Sequence, residues 1–267
     1  MELRVPPRRI FRPLLALLLF SSANLLCAAH AQTPAPDTMA ARMMACAACH
    51  GAKGEGNAAY FPRLAGQPPD YLFHQLQAFR GGHRKYPAMN YLTSYLSDDY
   101  LHEIAAYFAA QKPVIPAARP VAVSATALER GRTLATLGDA ARGIPACASC
   151  HTAAFTGRLP GIPGIIGLPH DYLSAQLGAF RTGVRHALDP DCMQQVALKL
   201  SDADIGALSA WFSSQPVPQD LSPAPASAEP LPLACGSQTR PVQAAGQTAA
   251  QATRPGTGHA AGHATTR

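Results

Sequence analysis

Two stretches of the chain share one signature: Cys46, Cys49 and His50 in "CAACH", and Cys147, Cys150 and His151 in "CASCH". Paired thiols followed at once by an imidazole suit three chemistries. They can cycle as a redox pair, contribute to a zinc site, or add to the two vinyl groups of a haem whose iron takes the histidine. A redox pair belongs in a βαβ pattern, which the sequence lacks, and structural zinc calls for closed sets of four ligands. The repeated spacing therefore predicts two covalent haem c groups, anchored at Cys46/Cys49 and Cys147/Cys150, with His50 and His151 on iron.

The opposite face of each iron needs a second ligand, and Met is a frequent partner of His in cytochromes c. Met39, Met43 and Met44 directly precede the first motif and are poorly placed to reach the far face. Met89 and Met193 follow His50 and His151 by 39 and 42 residues and occupy the same place in each half. They are the expected axial ligands. His74, His83, His102, His170 and His186 are rivals without a histidine counterpart in the other half, and read as surface residues.

These residues must be positioned by a repeated scaffold. A shift of 101 brings the two Cys-x-x-Cys-His motifs into register and lays "FPRLAGQPPDYLFHQLQAFRGGHR" on "IPGIIGLPHDYLSAQLGAFRTGVR". The shift then becomes 104, so that "LSDDYLHEIAAYFAAQ" lies on "LSDADIGALSAWFSSQ". Apolar spacing predicts a helix after Asp70 that stops at Gly81/Gly82, and paired helices starting at Ser97 and Ser201. No strand pattern is evident, so the fold class is all-α. The expected domains are 32–113 and 126–216, joined by a Pro-rich linker, 114–125. Residues 217–267 are Pro/Ala-rich and predict a disordered tail. His259 and His263 there read as polar tail residues.

Residues 1–31 combine four Arg, a short apolar run and the small residues around "AHA", the pattern of a secretory signal peptide. The expected location is the periplasm, free or with a membrane-associated complex. Removing this segment lowers the formal net charge from +6 to +3, and no Lys/Arg-rich block marks a nucleic-acid binder. Of seven cysteines, Cys27 leaves with the signal and four belong to the motifs, leaving Cys192 and Cys235. In an oxidising compartment these either pair or remain free thiols.

From "CAACHG" through "FPRLAGQPPDYL", "QLQAFRGG", a Met and "LSDD", and again through the second half, the chain resembles dihaem class I cytochromes c, most closely the cytochrome c-four family. The resemblance implies two tandem class I cytochrome c-like helical domains, each wrapped around one His/Met haem. It also implies single-electron transfer outside the cytoplasm, with Pro62 and Pro163 supporting the histidines. Expected donors are a quinol-oxidising complex or a dehydrogenase, and expected acceptors a terminal oxidase or another cytochrome. Six-coordinate irons leave no open site, so the protein is expected not to be an enzyme. Alternatives are a cytochrome subunit of a dehydrogenase complex and a dihaem peroxidase. Two departures stand out: Thr152 replaces the glycine found at Gly51, and an insertion carrying Asp189, Asp191 and Cys192 precedes Met193.

Overall fold

A computed structural model of the chain describes residues 37–57 and 59–238. The predicted signal peptide and the far end of the tail, with His259 and His263, lie outside the described residues. The chain divides into two compact units, one ending at Ala45 and one starting at Cys46. In the first, helix α1 (Met39–Arg42) starts at Thr38, whose hydroxyl accepts the amide of Ala41. Helix α2 (Met44–His50) spans the boundary and ends on the first histidine.

The second unit holds α3 (Pro69–Arg80), α4 (Pro87–Thr93), α5 (Asp98–Ala109), α6 (Ala125–Thr136), α7 (Cys147–His151), α8 (His170–Arg181), α9 (Cys192–Ala197) and α10 (Asp202–Ser214). Among the described residues β pairing is limited to isolated bridges, so the protein is all-α. The predicted helix signals operate as expected. Ser97 and Ser201 each accept an amide of the first turn of α5 and α10, and Asp204 returns a bond to the Ser201 amide at 3.0 Å. Gly81 closes α3.

Apolar spacing then decides what each helix buries. The paired helices α3 and α8 bury Leu72 and Phe79, and Leu173 and Phe180. On α5 the stripe is Leu101, Ile104, Ala105 and Phe108. In the second half Ile205, Leu208 and Phe212 of α10 join Leu134 and Phe155 in one core cluster. Helix α6 packs along α10, where Gly131 lets the backbones approach. The halves touch directly: the His186 amide donates to the His83 carbonyl at 2.7 Å, and the Gln67 side chain exchanges two bonds of 2.9 Å with the backbone of Gly164.

The tail differs from the sequence expectation. Residues 217–238 are not a loose extension but lie along the second half. Ala224 exchanges two backbone bonds of 2.9 Å with Gly157 and Leu159. Cys192 and Cys235 form a disulfide, with Cα atoms 5.0 Å apart. A composition argument weighs apolar burial alone, whereas hydrogen bonds and a covalent link order this segment. No helix among the described residues is long and apolar enough to cross a membrane.

Candidate haem sites

The local fold sets the chemistry of the two histidines. Each ends its helix, α2 or α7, and is buried. His50 Nδ1 lies 3.0 Å from the carbonyl oxygen of Pro62, and His151 Nδ1 lies 2.8 Å from that of Pro163. A carbonyl only accepts, so Nδ1 carries the proton and Nε2 keeps its lone pair. Burial pushes the pKa of both rings down, and the proline carbonyls oppose this in part. Two neutral imidazoles with a free Nε2 result, the form that binds iron.

Cys46, Cys49, Cys147 and Cys150 are unpaired. Burial pushes the Cys147 thiol up to about 12 and raises Cys46 and Cys150 as well. Such thiols are poor nucleophiles and poor thiolate ligands at neutral pH. Among the described residues no group of three or more His, Cys, Asp and Glu side chains is arranged for a metal ion. Neither observation points to a redox pair or to zinc, and the Cys-x-x-Cys-His spacing suits thioether anchoring of a haem.

The second set of predicted residues is gathered around one space. Cys147, Cys150, His151 and Met193 all line a cavity of about 620 Å³, walled by apolar side chains such as Leu177 and Phe180. That volume is in the range of cofactor pockets. Helix α9 carries Met193, and buried Asp191 caps it by accepting the Gln194 amide at 3.0 Å. In the first half, Cys46, Cys49 and His50 end α2, and Met89 is half-buried on α4. Thr93 donates to the Met89 carbonyl at 2.9 Å. Of the two sets, the second is the one that the described cavities collect. The rival histidines divide: against the surface expectation, His74, His83 and His186 line the cavity, the first two from α3 and the turn after it and the third from the turn after α8. His102 is exposed and stacks on Phe73 at 3.5 Å, and His170 contacts Asp171 at 2.8 Å.

Sequence reasoning missed three buried cations. Arg84 donates to Gln75, Tyr172 and Gln176 at 3.0, 2.9 and 2.8 Å. Arg185 mirrors it, donating to Gln176, Gln75 and Tyr71 at 2.9, 2.7 and 3.4 Å. The guanidiniums also cover Phe79 and Phe180 at 4.5 and 4.4 Å. Burial raises the Tyr71 phenol, but the charges of Arg185 and Arg84 more than offset this and bring it down. Arg63 is only 2% exposed, burial lowers it to about 10, and its Nε and Nη2 have no partner. No carboxylate pairs with these three among the described residues, and buried charges without counter-ions cost several kcal/mol each. Haem brings propionate carboxylates, so the residues fit the group: Arg185 itself lines the cavity. A signal was available, since Arg84 and Arg185 align in the repeat. Their burial depends on contact between the halves, which the repeat alone does not reveal.

Comparison with known proteins points the same way. Residues 35–108 match the family profile described as cytochrome c oxidase, cbb3-type, subunit III, and residues 128–216 match that of cytochrome c. The chain is 40% identical to cytochrome c4 of Pseudomonas aeruginosa over 174 residues, covering 64% of this chain and 84% of that protein. It is 39% identical to a thiosulfate dehydrogenase electron acceptor of Thiomonas intermedia over 173 residues, covering 64% and 79%. The crystal structure of reduced cytochrome c4 from Pseudomonas stutzeri superposes with a TM-score of 0.56 at 36% identity, covering 65% of this chain and 95% of that one.

Proposed function

The chain belongs to the cytochrome c4 family, a dihaem electron carrier with two covalent haem c groups, and from that premise we propose how its residues divide the work and where it operates. Cys46 and Cys49, and Cys147 and Cys150, anchor the two groups through thioethers. His50 and His151 would hold the irons through Nε2, and Met89 and Met193 would supply the second ligand of each through sulfur. When bound, each haem supplies an iron that takes up and releases one electron. The single observation behind this reading is the convergence of Cys147, Cys150, His151 and Met193 on one apolar cavity.

The protein's own contribution is positional and electrostatic. The Pro62 and Pro163 carbonyls fix the ring planes of the histidines. A Met ligand and an apolar wall favour the reduced state and raise the potential. Arg63, Arg84 and Arg185 hold anionic groups where the halves meet. Were His and Met both to hold each iron, no position would be left for substrate, which would separate a carrier from a peroxidase.

The carrier works in the periplasm and takes electrons from an inorganic-sulfur dehydrogenase, passing them to a terminal oxidase or another cytochrome. The relatives named as thiosulfate dehydrogenase electron acceptors support this donor over a quinol-oxidising complex. Mixing oxidised holoprotein anaerobically with a thiosulfate dehydrogenase and thiosulfate should reduce two equivalents per chain. Reduction by a quinol-oxidising complex, with none by the dehydrogenase, would reject the donor. Osmotic-shock fractionation should release the protein with periplasmic markers.

A further inference from the structure

The segment after α10 carries none of the anchoring cysteines or ligand residues, yet it is fastened at both ends. Pro216, Pro218, Pro223 and Pro225 keep it extended, which limits the entropy lost on ordering it. Leu221 packs on the core of the second half. Ala224 then pairs with Gly157 and Leu159, in the loop that follows His151. Further on, Leu231, Leu233 and Cys235 line the cavity that Met193 and His151 line. The Gly236 amide donates to the Pro190 carbonyl at 3.0 Å, and the Cys235 disulfide grips Cys192, the neighbour of Met193. A Cβ at position 236 would lie 2.1 Å from the Asp189 oxygen, so glycine alone allows this approach.

The segment thus crosses from the loop beside His151 to the helix carrying Met193. The first half is built otherwise. There Ala88 stands where Cys192 stands in the second half, and Tyr91 and Tyr95 beside Met89 are 77% and 93% exposed.

We infer that residues 222–238 are a strap that covers the outer edge of the second haem cavity, so that electrons enter and leave the chain through the first half. Leu231, Leu233 and Cys235 are the specificity-determining residues. They act by excluding outside redox reagents, so that a haem held in this cavity would exchange electrons only by way of the first half. This rests on the two-haem reading above.

The test is anaerobic stopped-flow oxidation of reduced holoprotein by ferricyanide, with haem content per chain counted on each sample. Wild type should show two phases of similar amplitude. The fast one should rise in proportion to ferricyanide, and the slow one should be independent of it. In the Cys192→Ser/Cys235→Ser variant the slow phase should become concentration-dependent and accelerate roughly tenfold or more, since losing the tether multiplies the open population. Amide exchange at Ala224 and Gly236 should speed up in parallel. The disulfide-retaining variant Leu231→Ala/Leu233→Ala should shift the same phase, and it decides the matter if the first variant does not fold. A slow phase that already scales with ferricyanide in wild type, or one unchanged in both variants, would overturn the strap. A merely structural disulfide would lower stability without changing the concentration dependence. Fewer than two haems per chain in wild type would instead sink the reading on which the strap rests.

Discussion

Replacing Gly131 with Ala sets two physical effects against each other. Gly131 lies inside α6, where Ala is intrinsically better by roughly 0.5–1 kcal/mol. The new methyl, if buried without conflict, would add about 0.8 kcal/mol. On those grounds the variant gains about 1.5 kcal/mol. The packing says otherwise. A Cβ there would lie 2.2 Å from the Ala207 carbonyl oxygen and 2.7 Å from the Trp211 Cβ of α10. Ordinary contact needs about 3.5–4 Å, so the helices must part by at least about 1 Å. A gap of that size forfeits roughly a quarter to a half of the dispersion energy of the contacts it opens. Leu134, Leu208 and Phe212 sit in the same buried cluster. If each loses on the order of 1–1.5 kcal/mol, the total is about 3–4.5 kcal/mol, and the net effect is destabilisation by about 1.5–3 kcal/mol. That corresponds to a fall in Tm of roughly 3–12 °C for a chain of this size. Gly206 in α10 is the control, because a Cβ there meets nothing within 4 Å. Gly206→Ala should stabilise by about 0.5–1 kcal/mol. Urea unfolding of the holoproteins, followed by far-ultraviolet circular dichroism, compares the three. A Gly131→Ala protein as stable as the control variant would refute the close α6–α10 crossing.

Two further outcomes concern the second half. Burial raises the Asp204 carboxyl, but Arg142, Ser201 and Arg130 more than reverse this and hold it well below the usual carboxylate range. A depressed folded pKa contributes stability above the unfolded value of about 4 that is lost as pH falls toward the folded value. Asp204→Asn should therefore cost about 1.5–3 kcal/mol at pH 7 and flatten the acid limb of a stability-against-pH curve. An acid limb unchanged in the variant would assign that limb to other groups. Thr152 has φ of 71°, where its counterpart Gly51 has 85°, and its buried hydroxyl lacks a partner. Thr152→Gly should raise the unfolding free energy by about 1 kcal/mol in the same denaturation assay, and a loss would show that the hydroxyl is satisfied in solution.

What the sequence made legible was whatever depends on nearest neighbours along the chain. Ser97 and Ser201 announce helices because a hydroxyl caps the next turn, and Phe79, Phe108 and Phe212 fall on buried stripes by their spacing. The spacing in "CAACH" and "CASCH" is likewise a local property, and the repeat doubled its weight. Arg84 and Arg185 look like ordinary surface charges in a one-dimensional reading. Their burial follows from each inserting beside the Gln and Tyr side chains of the other half. Residues 217–238 were misread for a related reason. Low apolar content predicts disorder unless an external tether exists, and the tether here joins Cys235 to Cys192 at the start of α9. The left-handed backbone at Thr152 carried a faint signal, the loss of the glycine present at Gly51, but a backbone angle cannot be read from one departure.

The central claim is two His/Met-ligated haems on one chain. A redox titration of the purified holoprotein, recorded by visible spectroscopy for wild type and for the Met89→Ala and Met193→Ala variants, tests it most directly. Two low-spin haems per chain are expected, with a sulfur-to-iron charge-transfer band in the ferric form that falls to about half in each variant, accompanied by a lowered potential for one haem. One haem per chain, a high-spin component in wild type, or a full-strength band in either variant would contradict the account.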